Sequence, residues 1–151
     1  MTDSIGFIGL GVLGSAMAGN LVNSGFTVIG YDTVAEKRAA LEEGGGQSGT
    51  SPKDVADRSD VVILCLPTAD VLHAVADKLK DGGGEGQIIL EVSTFAIADK
   101  EKARDTLAEA GKILLDCPVS GNRILALKKQ LTAFGSGDEA AYEAVEHIID
   151  G

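Results

Sequence analysis

Glycine stands at positions 9, 11 and 14, and aspartate at position 32, eighteen residues beyond the last of them. Each glycine costs conformational entropy on folding, so three at this spacing need a use. The stretch Gly9-Leu10-Gly11-Val12-Leu13-Gly14 follows the apolar run 5–8 and opens a helical pattern over 13–23. Between a strand and a helix the three have separate tasks. Gly9 permits the tight turn, Gly11 lets a pyrophosphate approach the backbone, and Gly14 lets the helix pack closely on the strand. Unpaired N–H groups and the positive helix end then face the phosphates. Asp32, just past the second apolar run, can accept hydrogen bonds from the hydroxyls of an adenosine ribose. Its charge repels a 2′-phosphate, which favours NAD over NADP. Arg38 could reach such a phosphate, but reads as part of a solvated helix face. Gly6, inside the strand, reads as a close-packing residue rather than a ligand contact.

This chemistry needs a scaffold of alternating strands and helices, and the chain supplies one. Residues 5–8, 27–31, 61–66, 88–92 and 113–115 read as buried strands, and 131–134 as one more. Between them lie helical stripes, Leu13, Met17 and Leu21 in one case, Val71, Val75 and Leu79 in another. Ser51-Pro52 reads as an N-cap with proline at the first helical position, opening a short helix to about residue 58. The triplets Gly44-Gly45-Gly46 and Gly82-Gly83-Gly84 end helices, and Asp138 caps a last one with the stripe Ala141, Val145 and Ile148. The fold class expected is α/β: a Rossmann-type, doubly wound, mostly parallel sheet with helices on both faces. Residues 1–151 read as one dinucleotide-binding domain.

The remaining residues narrow the partners. A net charge of −10 argues against nucleic acid or an anionic membrane as partner, though not against one small anionic ligand. No apolar run reaches the ~18 residues that cross a bilayer. Met1-Thr2-Asp3 lacks the basic segment of a secretory signal, so a cytoplasmic protein is expected. Cys65 and Cys117 have no metal-ligand spacing and read as buried free thiols; no metal site is expected. His73 and His147 fall on helical stretches without an obvious carboxylate partner in sequence, and neither is assigned a catalytic role. Arg123, Lys128 and Lys129 read as solvated surface.

The stretch "GLGVLGSAMAGNL" over residues 9–21 resembles the β-hydroxyacid dehydrogenase family, which includes 3-hydroxyisobutyrate and 6-phosphogluconate dehydrogenases. "CLPTADVLHAV" at 65–75, "EVST" at 91–94 and "DCPVSG" at 116–121 extend the resemblance over nearly the whole chain. It implies the family's cofactor-binding domain. Leu66, Pro67 and Thr68 would line the ribose and nicotinamide side, and Ser93 and Thr94 would lie near the nicotinamide. With Gly9, Leu10, Gly11, Val12, Leu13, Gly14 and Asp32 these make the cofactor-binding set. Ser120 and Gly121 would hold a substrate carboxylate, through a hydroxyl and a backbone N–H. Without the resemblance, turn and cap chemistry accounts for Pro67, Thr68, Ser93, Thr94, Ser120 and Gly121 equally well.

Family enzymes continue into an all-helical domain that carries the catalytic lysine, and the resemblance implies a homo-oligomer when that domain is present. The sequence ends at Gly151. The expectation is therefore a cofactor-binding domain without its helical partner, inactive alone and with no catalytic residue of its own. Its parent would transfer a hydride between NAD, less readily NADP, and a small hydroxy acid. Two alternatives stay open: a non-catalytic or regulatory dinucleotide-binding module, and a related imine or carbonyl reductase. Departures from the family pattern bear on substrate more than on fold. Asn122 and Arg123 follow Ser120-Gly121 where a second glycine is usual, and Leu125, Lys129 and Gln130 replace smaller residues. Leu13 stands where methionine is common, and Phe95-Ala96-Ile97 where a proline follows Ser-Thr.

Overall fold

A computed structural model describes residues 3–151; Met1 and Thr2, part of the start read above for a signal, lie outside the described residues. Six parallel strands form one sheet in the order β3-β2-β1-β4-β5-β6. They are β1 (Ser4–Ile8), β2 (Thr27–Tyr31), β3 (Gln47–Ser48), β4 (Val61–Leu64), β5 (Ile88–Glu91) and β6 (Ile113–Asp116). The crossovers are α1 (Val12–Asn23), α2 (Ala35–Glu43), α3 (Pro52–Asp57), α4 (Ala69–Leu79) and α5 (Ile97–Ala108). A short antiparallel pair, β7 (Val119–Ser120) and β8 (Thr132–Ala133), brackets α6 (Arg123–Leu127), and α7 (Glu139–Ile149) closes the chain.

Strand side chains alternate between two cores, as the period of a pleated strand requires. Ile5, Phe7, Val28, Ile63 and Leu115 pack with Leu21 of α1, Leu41 of α2 and Val145 and Ile148 of α7. Ile8, Ile29, Val62, Leu64 and Ile89 pack on the other face with Val55 of α3, Leu72 and Leu79 of α4 and Leu107 of α5. Both faces are covered, which is why the strands read as nearly continuous apolar runs. The chain winds outward from β1 in both directions, so the switch point lies between β1 and β4. In open parallel sheets a ligand crevice forms outside the carboxyl ends of the strands at that point.

The doubly wound architecture agrees with the sequence reading, but several local expectations need correction. Residues 131–134 do not add to the main sheet. Their strand is Thr132–Ala133, antiparallel to Val119–Ser120, and linked to β6 through a bridge between Asp116 and Ser136. On α4 the buried stripe is Leu72, Val75, Ala76 and Leu79, while Val71 is 37% exposed. On α1 the buried residues are Gly14, Ala16, Ala18 and Leu21, with Leu13 and Met17 half-buried at the margin. Small residues let that helix lie close to the strands. Both histidines have carboxylate partners from distant sequence: His73 Nε2 lies 3.0 Å from Asp99 Oδ1, and His147 pairs with Asp3. Cys117 is buried and Cys65 half-buried, both as free thiols. Among the described residues there is no cluster suited to a metal, and no helix is long and apolar enough to cross a membrane.

The corrected α4 stripe has a measurable consequence. Leu72→Ala is expected to cost about 2–5 kcal/mol in urea unfolding, as a fully buried leucine does, whereas Val71→Ala should change stability by less than ~0.5 kcal/mol. Equal costs would place the stripe back on Val71.

Candidate functional site

The residues just past β1, β4, β5 and β6 each bond back to the neighbouring strand, β2, β1, β4 and β5 in turn. Gly9 N–H donates to Tyr31 O, Cys65 N–H to Ile8 O, Val92 N–H to Leu64 O and Cys117 N–H to Glu91 O, each at 2.9 Å. The four loops that follow therefore form one edge, and the sequence-selected residues all lie on or beside it.

In the first loop the three glycines differ in what surrounds them. A Cβ on Gly9 would sit 1.9 Å from the Cys65 carbonyl oxygen, and φ there is +98°. A Cβ on Gly14 would sit 2.1 Å from the Gly9 carbonyl oxygen. Both positions exclude a side chain because backbone crosses backbone. Gly11 is the opposite case, since a Cβ there meets nothing within 4 Å. The space it leaves opens outward, beside the first turn of α1. That turn has no side-chain cap and no acidic residue, so its N–H groups remain available to an anion. Gly6 answers to packing, as read from the sequence: a Cβ would meet Val55 Cγ1 at 2.5 Å.

Asp32 lies at the end of β2 against this loop. Its Oδ2 accepts from Leu10 N–H and its Oδ1 from Val34 N–H, both at 2.9 Å. The carboxylate thus fixes the loop and keeps lone pairs for a further donor. Arg38 does not stand free on the surface. Its Nη1 donates to the Asp32 carbonyl at 2.6 Å, and the guanidinium lies 5.8 Å from the centre of the Tyr31 ring. Leu10 is buried in the core, so its contribution to the edge is backbone; Val12 is 69% exposed.

The second and third loops are joined to each other. Leu66 N–H donates to Ser93 Oγ at 2.7 Å, and Ser93 N–H donates to Glu91 Oε1 at 2.6 Å. Leu66 and Ser93 are buried, while Pro67, Thr68 and Thr94 are exposed at the edge. Thr68 Oγ1 also accepts from Val71 N–H at 3.2 Å, capping α4. Ser120 ends β7 with its side chain exposed, and Gly121 follows at φ +139°. Asn122 caps α6, its side chain accepting from Leu125 N–H at 3.0 Å, and Asn20 of α1 holds α6 through the Ala126 carbonyl at 2.6 Å. Arg123, Lys128 and Lys129 are exposed; Lys129 Nζ donates to Ser24 Oγ.

Sequence reasoning missed the charged groups beneath this edge. Lys100, Glu91 and Asp116 meet between β5, β6 and α5, with Lys100 Nζ 2.6 Å from Asp116 Oδ1 and 3.9 Å from Glu91 Oε2. Burial is the main influence on Glu91 and pushes its carboxyl above the ordinary range. Burial likewise pushes the Cys65 thiol up to about 11, which keeps it a protonated, unreactive core group. The available signal was a lysine in register with Ala103 and Leu107, on the face that α5 turns to the sheet.

The family model for the NAD binding domain of 6-phosphogluconate dehydrogenase matches residues 4–151. The chain is 30% identical over 148 residues to the mitochondrial 3-hydroxyisobutyrate dehydrogenase of Homo sapiens, covering 96% of this chain and 44% of that protein. It is 33% identical over 151 residues to the NAD-dependent L-serine dehydrogenase of Pseudomonas aeruginosa, covering 97% and 50%. A solved structure of Mycobacterium tuberculosis 3-hydroxyisobutyrate dehydrogenase with L-serine superposes with a TM-score of 0.96 at 27% identity, over 99% of this chain and 52% of that one. The chain spans about half the length of the curated relatives it matches.

The glycine geometry separates fold from ligand. Gly14→Ala is expected to lower stability by at least ~2 kcal/mol through backbone overlap, and Gly9→Ala by a similar amount because strain at positive φ is added. Gly11→Ala should leave the thermal midpoint within about 2 °C of wild type. A destabilised Gly11→Ala would mean that its open space belongs to the protein.

Proposed function

This chain belongs to the β-hydroxyacid dehydrogenase family as its NAD-binding domain, and on that premise we propose that it is the cofactor half of an oxidoreductase acting on a small hydroxy acid. The observation that carries the proposal is the open space at Gly11 beside an uncapped helix N-terminus, with Asp32 hydrogen-bonded to the same loop. NAD, when bound, supplies the site that accepts or returns a hydride. Everything else is the work of the chain.

The N–H groups of Val12, Leu13 and Gly14 hold the pyrophosphate, at a point where no side chain at position 11 intervenes. Asp32 accepts from the adenosine ribose hydroxyls. Its carboxylate opposes a 2′-phosphate, and Arg38, engaged by the Asp32 carbonyl and the Tyr31 ring, is not free to offset that repulsion. Pro67 and Thr68 flank the second ribose, and Ser93 and Thr94 the nicotinamide. Ser120 Oγ and the Gly121 N–H donate to the substrate carboxylate from the end of β7, which pairs antiparallel with β8. Pocket-like positioning of this kind contributes through orientation rather than proton transfer. The proton of the substrate hydroxyl goes to a group outside residues 1–151, the helical-domain lysine that the family resemblance implies. The substrate class follows the relatives, whose names include 3-hydroxyisobutyrate and L-serine dehydrogenases.

Two measurements test this reading. In calorimetry NADH should bind more tightly than NADPH, and Asp32→Asn, which keeps an acceptor for the loop, should narrow the gap by about tenfold. Tighter NADPH binding by the wild type would reverse the assignment. In the same cuvette, residues 1–151 with NAD and small 3-hydroxy acids should show no appreciable NADH formation, because general acid–base catalysis alone contributes ~10²–10⁴-fold. Robust turnover by this chain would locate the proton acceptor within it.

A further inference from the structure

Lys100 is a lysine in a leucine's place. Its side chain is 7% exposed, and it shares the buried face of α5 with Ala103 and Leu107. Removing an ammonium from water is costly, and flanking carboxylates offset that cost only in part. An apolar side chain of similar length would serve the contact between α5 and the sheet at least as well. Packing alone therefore does not account for this residue.

The turn after β5 does. Lys100 Nζ donates to the Ser93 carbonyl oxygen at 2.7 Å and to Asp116 Oδ1 at 2.6 Å, and lies 5.8 Å from the centre of the Phe95 ring. Ser93 is held at every polar atom: N–H on Glu91, Oγ under Leu66 N–H, carbonyl on Lys100. Glu91 is fully buried, and its Oε2 has no hydrogen-bond partner among the described residues. The lysine is what faces that oxygen. In a trans peptide the C=O and the following N–H point in opposite directions. With the Ser93 carbonyl drawn inward onto Nζ, the Thr94 N–H is turned outward. Thr94 is exposed, and among the described residues its N–H has no partner.

We propose that Lys100 is a positioning residue of the cofactor site: it sets the plane of the Ser93–Thr94 peptide so that the Thr94 N–H stands as a fixed donor toward the nicotinamide end of the dinucleotide. This inference rests on the placement of Ser93 and Thr94 beside the nicotinamide proposed above. Lys100 touches neither cofactor nor substrate. It acts through the peptide, with Asp116 and Glu91 keeping the ammonium in place between β5 and β6. The adenosine and pyrophosphate contacts, built on β1, α1 and β2, do not depend on it.

The test compares NAD with ADP-ribose, which has the same adenosine, pyrophosphate and second ribose but no nicotinamide. Calorimetry on the 151-residue chain is run for wild type, Lys100→Met and Thr94→Phe. Lys100→Met is expected to weaken NAD about tenfold while ADP-ribose stays within about twofold, a split that general loosening of the fold would not produce. Thr94→Phe, which crowds the edge directly, should show the same NAD-selective loss. A selective loss in Thr94→Phe without one in Lys100→Met overturns the role of Lys100 and leaves the nicotinamide placement standing. No selective loss in Thr94→Phe removes that placement, and the role of Lys100 with it. Should Lys100→Met unfold, the pair Lys100→Met with Glu91→Gln, which removes both buried charges, is measured instead. If that also fails to fold, the lysine is a folding determinant and the proposal falls.

Discussion

The site depends on one double crossing of the backbone. Gly9 lies where the turn after β1 passes over the Cys65 carbonyl, and Gly14 lies where α1 passes over the Gly9 carbonyl. Neither crossing leaves room for a methyl group. Together they bring the first turn of α1 down onto the switch point of the sheet, and they fix the distance between that helix end and the β4 loop. A small residue continues the theme along α1, where Ala18 packs with the strand residues of the core. A helix held further off would still cover its face of the sheet. Its first turn would no longer lie against the loop that Asp32 holds.

From that crossing outward, the edge is built mainly of backbone held by polar side chains. Asp32 ties the first loop to the end of β2, Ser93 ties the β4 loop to the β5 loop, and Lys100 ties the β5 loop to β6. Each tie uses a side chain to fix a peptide group rather than to reach outward. The exception is the region from Ser120 onward, where the serine hydroxyl is exposed and a capped one-and-a-half-turn helix follows. Two physical regimes thus meet along one edge: a rigid backbone cradle over β1, β4 and β5, and a side-chain surface over β7 and α6.

What could be read from the sequence follows the same division. Strands covered on both faces announce themselves as apolar runs, and residues 5–8, 27–31 and 61–66 are legible for that reason, the last running two residues past the end of β4 at Leu64. The loop glycines and Asp32 were visible because their spacing has a mechanism. β3 was not, being two polar residues at a sheet edge with no periodicity to detect. On α4 the stripe Val71, Val75 and Leu79 holds at its last two residues, while Leu72 takes the buried place read for Val71, a choice that only the packed structure makes. The partners of His73 and His147 lie 26 and 144 residues away, beyond any local pattern. The Lys100 network was hidden for a related reason: its register with Ala103 and Leu107 marks a face of α5, but the partners Glu91 and Asp116 come from the ends of β5 and β6.

The departures from the family pattern acquire a meaning from this geometry. Leu13 lies on α1 at the margin of the core, and Phe95 lies beside the Lys100 ammonium. Asn122 is a different kind of change. Its φ of −121° is open to any residue, and its side chain is spent on capping α6. The glycine usual there is therefore not needed for the turn in this chain, and what the asparagine adds is a cap and bulk next to Gly121. Ile124 and Leu127 follow on the same short helix, 62% and 51% exposed. A cofactor recognised by its backbone contacts tolerates such changes, because they lie outside the cradle. The bulk that Asn122 and α6 add thus lies beside Ser120 and Gly121, apart from the backbone ties at the ends of β1, β4 and β5.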